Sequence, residues 1–208
     1  MRKSEITLNA VKELEKLYPD AICSLNYKNA FELLIATRLS AQCTDARVNI
    51  VTPNLFKKYP DALSLGNAKL KDVEELIKTC GLYKTKAKDL IGIGKMLTEN
   101  YGGIVPSSIE ELTKLPGVGR KTANLVCGDI YKKPAVVTDT HFIRLCNRLG
   151  IVSTKEPKKV EDAMRKLLPP EKSSDFCHRT VLFGRDICTA RKANCGICPM
   201  KDFCQKKI

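Results

Sequence analysis

Apolar residues recur along most of the chain three or four positions apart, which is the spacing of an α-helix. The first stripe consists of Ile6, Leu8, Val11, Leu14 and Leu17. It ends before Pro19, because a proline disfavours helix in the residue that precedes it. Further helices are predicted around residues 31–39, 73–77, 90–97, 108–114, 121–131, 141–149, 158–168 and 174–187. Strand-like alternation is confined to residues 135–137, too few for a sheet, so the sequence predicts an all-α fold.

The charge balance narrows the choice of partner. The chain carries 36 Lys and Arg against 23 Asp and Glu, a formal net charge of +13. This excess favours a polyanionic partner, because neutralised phosphates release counterions; simple solubility is the alternative, and charge alone does not separate the two. No segment reaches the roughly 18–20 consecutive apolar residues of a membrane span, and the N-terminus lacks a signal-peptide core. We therefore expect a cytoplasmic protein with no membrane partner.

The ten cysteines form two sets. Because disulfides form mainly in exported proteins and no export signal is seen, we do not expect these cysteines to form a disulfide framework. Six are scattered and are expected to be small buried apolar side chains: Cys23, Cys43, Cys80, Cys127, Cys146 and Cys177. The other four, Cys188, Cys195, Cys198 and Cys204, form the string C-x6-C-x2-C-x5-C, which indicates a metal site. Zinc usually takes two closely spaced pairs, and only Cys195 and Cys198 form one, so zinc is the less favoured metal.

A glycine-rich turn lies between two predicted helices, in the string Leu-Pro-Gly-Val-Gly-Arg-Lys-Thr-Ala of residues 115–123. Gly117 and Gly119 bracket Val118. Since glycines tolerate backbone angles forbidden to other residues, a tight hairpin with Val118 in the core is predicted. The glycine amides and the free N–H groups that open the second helix, beside Arg120, would then face an anion such as a DNA phosphate. A generic connection between helices is the alternative.

Asp139 precedes a predicted helix in the string Val-Thr-Asp-Thr-His of residues 137–141. Aspartate is a preferred N-cap residue, so a capping role is expected from the local sequence alone. His141 and His178 are the only histidines in the chain. We interpret His141 as a hydrogen-bonding residue at the helix start and leave both histidines out of the candidate site.

These strings resemble the endonuclease III family of DNA glycosylases, and the resemblance covers almost the whole chain, from the segment around Phe31 to Cys204. Residues 115–123 are similar to the family's helix-hairpin-helix, whose nucleophilic lysine directly follows Gly-Arg, and Lys121 occupies that place. The Asp-Thr-His string implies that Asp139 is the catalytic aspartate, although Thr138 stands where the family more often has Val. The four-cysteine string matches the family's [4Fe-4S] ligands at all four positions.

The resemblance also implies a chemical role for Lys121. A neutral lysine amine can attack the deoxyribose C1′, displace the damaged base and leave a Schiff base. The iminium acidifies the neighbouring sugar proton, so β-elimination then cuts the strand. A position in the first turn of a helix suits this role, because the positive end of the helix dipole disfavours an ammonium group. Asp139 would stabilise the positive charge that develops on the sugar.

Two further segments resemble parts of the family that enter the DNA minor groove. By that match Gln42 fills the space left by a flipped-out nucleotide, and Leu82 wedges between bases. The alternatives are a polar residue at a helix end and a leucine folded onto the core. Arg191 and Lys192, in the loop between the first two cluster ligands, are expected to contact phosphate. Two departures from the family stand nearby: Cys43 replaces a small Ala, and Asn194 replaces a basic residue of some relatives.

The family's architecture implies two α-helical lobes on either side of a DNA-binding cleft. One lobe would be a helical barrel over residues 24–133, and the other would combine residues 1–23 with 134–208 and hold the cluster. The implied partner of this monomer is double-stranded DNA containing damaged pyrimidines, such as thymine glycol, or abasic sites. The expected setting is the nucleoid of a prokaryotic cytoplasm.

Two rival functions remain open at this point. A monofunctional adenine-mismatch glycosylase shares the hairpin and the cluster, but that branch lacks the lysine after Gly-Arg and usually carries a further C-terminal domain. A non-catalytic DNA-binding module would use the hairpin and the basic loop alone. The presence of both Lys121 and Asp139 argues against the module.

Overall fold

The computed structural model describes residues 1–206, and these contain helices and turns but no strand, which confirms the predicted all-α fold. In chain order the helices are α1 (Lys3–Leu17), α2 (Ala30–Ser40), α3 (Asp45–Lys58), α4 (Ala62–Gly66), α5 (Leu70–Ile77), α6 (Tyr83–Tyr101), α7 (Ile109–Leu112), α8 (Arg120–Asp129), α9 (Thr140–Arg148), α10 (Pro157–Arg165) and α11 (Ser173–Asp186), with a 3-10 turn at Pro170–Lys172 before α11. None of these helices is long and apolar enough to cross a bilayer.

The chain divides into two compact units. One is Ser24–Tyr131, here called the hairpin unit, and the other combines Met1–Cys23 with the chain from Lys132 onward, here called the cysteine unit. That the predicted segments 24–133 and 1–23 plus 134–208 are functional domains stays a prediction. Residues 207 and 208 of the second predicted domain lie outside the described residues.

Helix α2 is the central element of the hairpin unit, because every residue from Leu33 to Thr37 is buried. The side chain of Asn29 caps it by accepting a hydrogen bond from the backbone N–H of Glu32, at 2.9 Å. Such a cap satisfies one of the donors that a helix start leaves unpaired. The helix ends at Ser40, and the turn that follows carries Gln42.

The sequence analysis missed helix α3, whose interior contains Pro53. A proline inside a helix removes one backbone hydrogen bond and disfavours helix. The segment is nevertheless helical, since Val48, Val51, Thr52 and Leu55 are all buried at helical spacing. Burial of that apolar face outweighs the local cost of the proline.

Glycines inside helix α6 have a packing role. A Cβ on Gly94 would lie 2.5 Å from the backbone nitrogen of Gly66 in α4, so only glycine allows these two helix backbones to approach so closely. Gly92 packs against Pro116, and a Cβ added to Gly92 would lie 3.0 Å from the proline ring. The lowered helix propensity of the segment is therefore offset by close helix packing.

The cysteine unit joins the N-terminal helix to the C-terminal part of the chain. The hydroxyl of Tyr18, just after α1, donates a 3.0 Å hydrogen bond to Asp186 at the end of α11. The extended residues 135–137 pair with side chains and not with a strand. The backbone N–H of Ala135 donates to the Ser173 hydroxyl at 3.0 Å, and that of Val137 lies 3.2 Å from the Cys177 sulfur.

Candidate functional site

The predicted hairpin is present between α7 and α8. Val118 is buried, with 6% of its surface exposed, which confirms its predicted place in the core. Gly117 has a φ of +67°, a conformation that favours glycine. The same expectation for Gly119 was wrong, because its φ of −94° is open to any residue and the position serves as the N-cap of α8. A Cβ on Gly119 would have nothing within 4 Å.

An ion pair that the sequence analysis missed supports the hairpin. The Arg38 guanidinium bonds to the Asp89 carboxylate through Nε, at 2.9 Å, and through Nη2. Only 12% and 19% of these two side chains are exposed. A Cβ on Gly117 would lie 2.2 Å from Arg38 Nε and 2.6 Å from Asp89 Oδ2. The hairpin therefore rests directly on this pair, and glycine at 117 is required for contact as well as for conformation.

Lys121 is the second residue of α8 and is exposed to solvent. No side chain of the N-cap residue, Gly119, caps the start of this helix. Asn124 lies one turn later and donates from Nδ2 to the Arg120 carbonyl oxygen at 3.0 Å. The predicted placement of Lys121 in the first helical turn is thus confirmed, and its chemical role stays a prediction.

Gln42 and Leu82 share an unusual backbone conformation. Their φ angles are +53° and +59°, and among the described residues only Lys132 and Lys206 are further non-glycine cases. A side-chain-bearing residue in this region costs roughly 1–2 kcal/mol. Both residues are exposed, and 59% of the Leu82 surface is accessible, so the alternative in which this leucine folds onto the core is wrong.

The two turns that carry these residues also touch. A Cβ on Gly81 would lie 3.0 Å from the carbonyl oxygen of Gln42. The turn between α2 and α3 and the turn between α5 and α6 therefore present Gln42 and Leu82 side by side. Asp45, at the start of α3, accepts a 2.6 Å hydrogen bond from the Ser24 hydroxyl, which holds the first turn against the start of the unit.

Asp139 caps helix α9 in the cysteine unit. Its Oδ1 accepts a 2.7 Å hydrogen bond from the backbone N–H of Phe142, so the expected cap is present and the carboxylate, which is half-buried, is held in a fixed direction. His141 Nδ1 lies 3.2 Å from Arg144 Nη2. A Cβ on Gly184 would lie 2.5 Å from His141 Nδ1. His141 is thus packed against its own unit.

The four C-terminal cysteines line one pocket. Five large apolar side chains form much of its wall: Leu145, Leu149, Phe183, Ile187 and Met200. Burial raises the pKa of the Cys198 and Cys204 thiols, so bare thiolates are disfavoured in this pocket without a compensating cation. Within residues 1–206 no three His, Cys, Asp or Glu side chains converge tightly enough to form a single-ion site.

Arg148 anchors the segment that begins at the first of these cysteines, and sequence reasoning missed it. Its Nη1 donates to the Cys188 sulfur at 3.2 Å and to the Thr189 carbonyl at 2.8 Å, and its Nη2 donates to the Ala190 carbonyl at 3.1 Å. Only 7% of this arginine is exposed. A buried cation that contacts a sulfur suits a pocket that holds negative charge.

Arg191 and Lys192 lie in the loop between Cys188 and Cys195, and both are exposed. The Thr189 hydroxyl donates to the Lys192 carbonyl at 2.6 Å and accepts from the Lys192 N–H at 3.3 Å, which closes the loop on itself. The two cations are thus presented to solvent from a fixed turn.

The scattered cysteines do not all match the prediction. Cys80, Cys127, Cys146 and Cys177 are buried as expected. Cys23 and Cys43 are only half-buried, so the expectation of six buried thiols was wrong for these two. Cys43 lies in the turn that presents Gln42, where the chain is partly open to solvent.

Comparison with known proteins identifies the class of protein to which this chain belongs. Residues 35–170 match the HhH-GPD superfamily of base excision DNA repair proteins. Endonuclease III of Synechocystis sp. is 45% identical over 192 residues, which cover 92% of this chain and 88% of the relative. Endonuclease III of Bacillus subtilis is 41% identical over 99% of this chain and 93% of its own. The chain belongs to the endonuclease III family, whose members are base excision repair DNA glycosylases and AP lyases.

Solved structures agree with this assignment. A structure of an endonuclease III trapped with DNA as a covalent intermediate matches with a TM-score of 0.93 and 42% identity, over 99% of this chain and 97% of that one. A non-covalent endonuclease III–DNA complex matches with a TM-score of 0.92 and the same identity, over 99% and 96%. The predicted fold of the endonuclease III type is thereby confirmed.

Proposed function

We propose that this glycosylase and AP lyase excises oxidised or ring-saturated pyrimidines from double-stranded DNA as a monomer, with Lys121 as its nucleophile. The observation that carries the proposal is the place of Lys121: it is exposed in the first turn of α8, directly after the hairpin. Related enzymes form a covalent intermediate with DNA, and an amine is a group able to do so reversibly.

The reaction begins when the neutral Nζ of Lys121 attacks C1′ of the damaged nucleotide and the base leaves with the bonding electrons. Opening of the sugar ring gives an iminium that joins Nζ to C1′. The iminium withdraws electrons, so a proton leaves C2′ and the bond from C3′ to its phosphate oxygen breaks. Water then hydrolyses the imine and frees the lysine. The same amine therefore serves both base removal and strand cleavage.

We assign Asp139 to electrostatic support of this reaction. Its carboxylate is oriented by the 2.7 Å hydrogen bond to the Phe142 N–H. A fixed negative charge stabilises the cationic sugar without having to reorganise during the reaction. It also accepts protons from the attacking amine or from water. Capping and catalysis are compatible here, because the cap uses one carboxylate oxygen and Asp139 has two.

DNA is held by two kinds of contact in this proposal. The N–H groups at the start of α8, next to Gly117, Gly119 and Arg120, bind a backbone phosphate, and Arg191 and Lys192 bind another. Gln42 and Leu82 enter the minor groove, where the leucine separates bases and the glutamine occupies the space of the flipped nucleotide. Their exposure and left-handed backbones support this assignment.

We further propose that Cys188, Cys195, Cys198 and Cys204 hold a [4Fe-4S] cluster. The shared pocket, its apolar wall and the Arg148 contact to Cys188 support the fit. The group would stabilise the C-terminal loop, which has too little core to fold alone, and so present Arg191 and Lys192. Iron and sulfide analysis of anaerobically purified, brown protein tests this assignment. A colourless protein with stoichiometric zinc would contradict it.

Borohydride trapping tests the nucleophile. The protein is incubated with a duplex that contains thymine glycol, and borohydride reduces the imine to a stable cross-link. The native chain should give the adduct, and Lys121→Gln should abolish both the adduct and base excision. Lys114→Gln is the matched control, because Lys114 lies seven positions away and loses only an exposed ion pair to Glu111. This control should trap DNA normally.

The same experiment separates the rivals. Base excision without any adduct would favour a monofunctional mismatch glycosylase. DNA binding without excision would favour a non-catalytic module. An adduct that persists in Lys121→Gln would show that another amine is the nucleophile.

A further inference from the structure

Two of the scattered cysteines are neighbours in the hairpin unit. The thiols of Cys43 and Cys80 are close enough to interact electrostatically. The backbones of the next residues approach independently, since a Cβ on Gly81 would lie 3.0 Å from the carbonyl oxygen of Gln42. Cys43 directly follows Gln42, and Cys80 lies two positions before Leu82. The thiol pair therefore lies where the two turns that present the proposed DNA-inserting residues approach each other.

The two thiols differ in access. Cys43 is half-buried, whereas only 1% of Cys80 is exposed. Burial raises the pKa of Cys80 to about 11, so this thiol stays protonated at neutral pH. An oxidant from solvent therefore reaches Cys43 first, and Cys80 is placed to react with the product.

A buried lysine lies close to both thiols. Lys86 is fully buried, and its Nζ donates a 2.7 Å hydrogen bond to the Leu39 carbonyl oxygen. Burial lowers the pKa of Lys86, and the neighbouring Cys43 and Cys80 oppose that shift, so the three side chains are within electrostatic reach of one another. Arg47, on α3, is also close enough to Cys80 to interact with it, although burial has the larger effect and keeps the pKa of this thiol raised.

We propose that Cys43 and Cys80 are a redox modification site that hydrogen peroxide converts reversibly into an intramolecular disulfide. The Cys43 thiolate attacks one peroxide oxygen, the O–O bond breaks, and the departing hydroxide takes up a proton to leave as water, which gives a sulfenic acid. The Cys80 sulfur attacks the Cys43 sulfur, the S–O bond breaks, and the hydroxide leaves with the Cys80 proton as a second water. The two thiols lose two electrons and the peroxide gains them.

The bond has a consequence for DNA repair that rests on the proposed function. A disulfide holds its sulfurs at about 2.05 Å, much closer than two thiols that are not bonded. The turns of Gln42 and Leu82 are then tied together. Entry into a duplex that kinks requires both turns to adjust, so the oxidised protein excises lesions more slowly than the reduced protein.

Peptide mapping of the intact, cluster-loaded protein tests the bond itself. Trypsin releases residues 39–47 and 79–84, each with one cysteine. After brief treatment with hydrogen peroxide, the native chain should yield these two peptides cross-linked, and dithiothreitol should separate them. Cys43→Ala and Cys80→Ala should give no cross-link. Cys127→Ala, which removes a buried thiol outside the pair, should give it undiminished.

Two results would overturn the assignment. In the first, Cys43 and Cys80 both remain free thiols after a peroxide treatment that oxidises Cys23, a half-buried control thiol. The other is cross-linking of either residue to a different cysteine. Visible absorbance before and after treatment checks that the cluster cysteines have not entered the reaction.

Excision of thymine glycol tests the consequence separately. Oxidised native protein should be several-fold slower than reduced protein, dithiothreitol should restore its rate, and Cys43→Ala should be unaffected by peroxide. A cross-link that leaves the excision rate unchanged would contradict the proposed effect on the turns. Failure of the reduced protein to excise would refute the proposed function and leave the mapped disulfide standing.

Discussion

The two glycines of the hairpin are predicted to have separable roles. Gly117 is needed by the fold, since its φ is +67° and a Cβ would meet the Arg38 and Asp89 side chains. Gly119 has an ordinary φ of −94° and open space where a Cβ would lie. A phosphate that approaches the start of α8 would occupy that space. We therefore expect Gly117→Ala to impair stability and Gly119→Ala to impair DNA binding.

The magnitudes follow from the local geometry. Alanine at a left-handed position costs roughly 1–2 kcal/mol. Displacing Arg38 disturbs a largely buried ion pair, for which we take about 1–2 kcal/mol, below the range for full removal of a partner. Gly117→Ala should thus cost about 2–4 kcal/mol. Gly119→Ala should cost less than about 1 kcal/mol, because glycine is only a moderately better N-cap than alanine.

Urea denaturation of the two variants measures the first effect. With a slope of about 2 kcal/mol per molar, Gly117→Ala should unfold at a urea concentration lower by roughly 1–2 M, and Gly119→Ala by less than about 0.5 M. Fluorescence anisotropy with an abasic duplex at fixed salt measures the second. Gly119→Ala should bind at least about tenfold more weakly, since a charge-assisted hydrogen bond contributes about 1.5–3 kcal/mol and each 1.4 kcal/mol is a factor of about ten in affinity. Equal loss of stability in the two variants, or unchanged DNA affinity in Gly119→Ala, would refute the reasoning.

Three further predictions concern single side chains. Leu82→Gly should unfold at the same or a higher urea concentration than Leu82→Ala, because glycine removes a backbone cost of roughly 1 kcal/mol, and both should lose excision; earlier unfolding of the glycine variant would contradict the strain at φ +59°. Asp139→Asn should keep helix α9 capped and the unfolding midpoint unchanged while excision falls, whereas Asp139→Ala should also lose about 1 kcal/mol of stability; full excision by the asparagine variant would exclude a role for the charge. Burial, together with the hydrogen bond to Asp186, raises the pKa of Tyr18 to about 12. Because the pKa is higher in the folded state, the protonated phenol contributes to the free energy of unfolding. This contribution is complete below pH 10, the ordinary pKa of tyrosine, and is lost as the pH rises towards about 12. In a denaturation series over that range Tyr18→Phe should lose less stability than the native chain, and parallel losses would argue against the shift.

Local sequence predicted much of the fold because most helices carry their own signal. The apolar stripe of α1 and the stop before Pro19 are features of neighbouring residues, and the structure has α1 over Lys3–Leu17. Helix α3 was missed; it contains Pro53, which disfavours helix locally, and its buried face is established only by packing in three dimensions. The tolerance of α6 for Gly94 depends on Gly66, 28 positions earlier, which no local pattern reveals.

The residues of the candidate site also fall into two groups, those that local sequence reveals and those that it does not. The hairpin around Lys121, the cap at Asp139 and the four-cysteine string are contiguous in sequence and were therefore visible. The groups that support them are not. Arg38 and Asp89 are 51 positions apart, and Arg148 reaches the Cys188 sulfur across 40 positions. Such pairs are determined by packing in three dimensions. A lone arginine in the apolar stretch of α2 was the one available hint.

The account depends most directly on the identity of the amine that joins the DNA. Native protein trapped on thymine-glycol duplex with borohydride can be digested to peptides, and sequencing by mass spectrometry locates the modified residue. The account predicts a deoxyribose remnant on Lys121, in the peptide that follows the hairpin, and on no other lysine. Modification of the N-terminal amine or of a lysine elsewhere, with Lys121 unmodified, would contradict it.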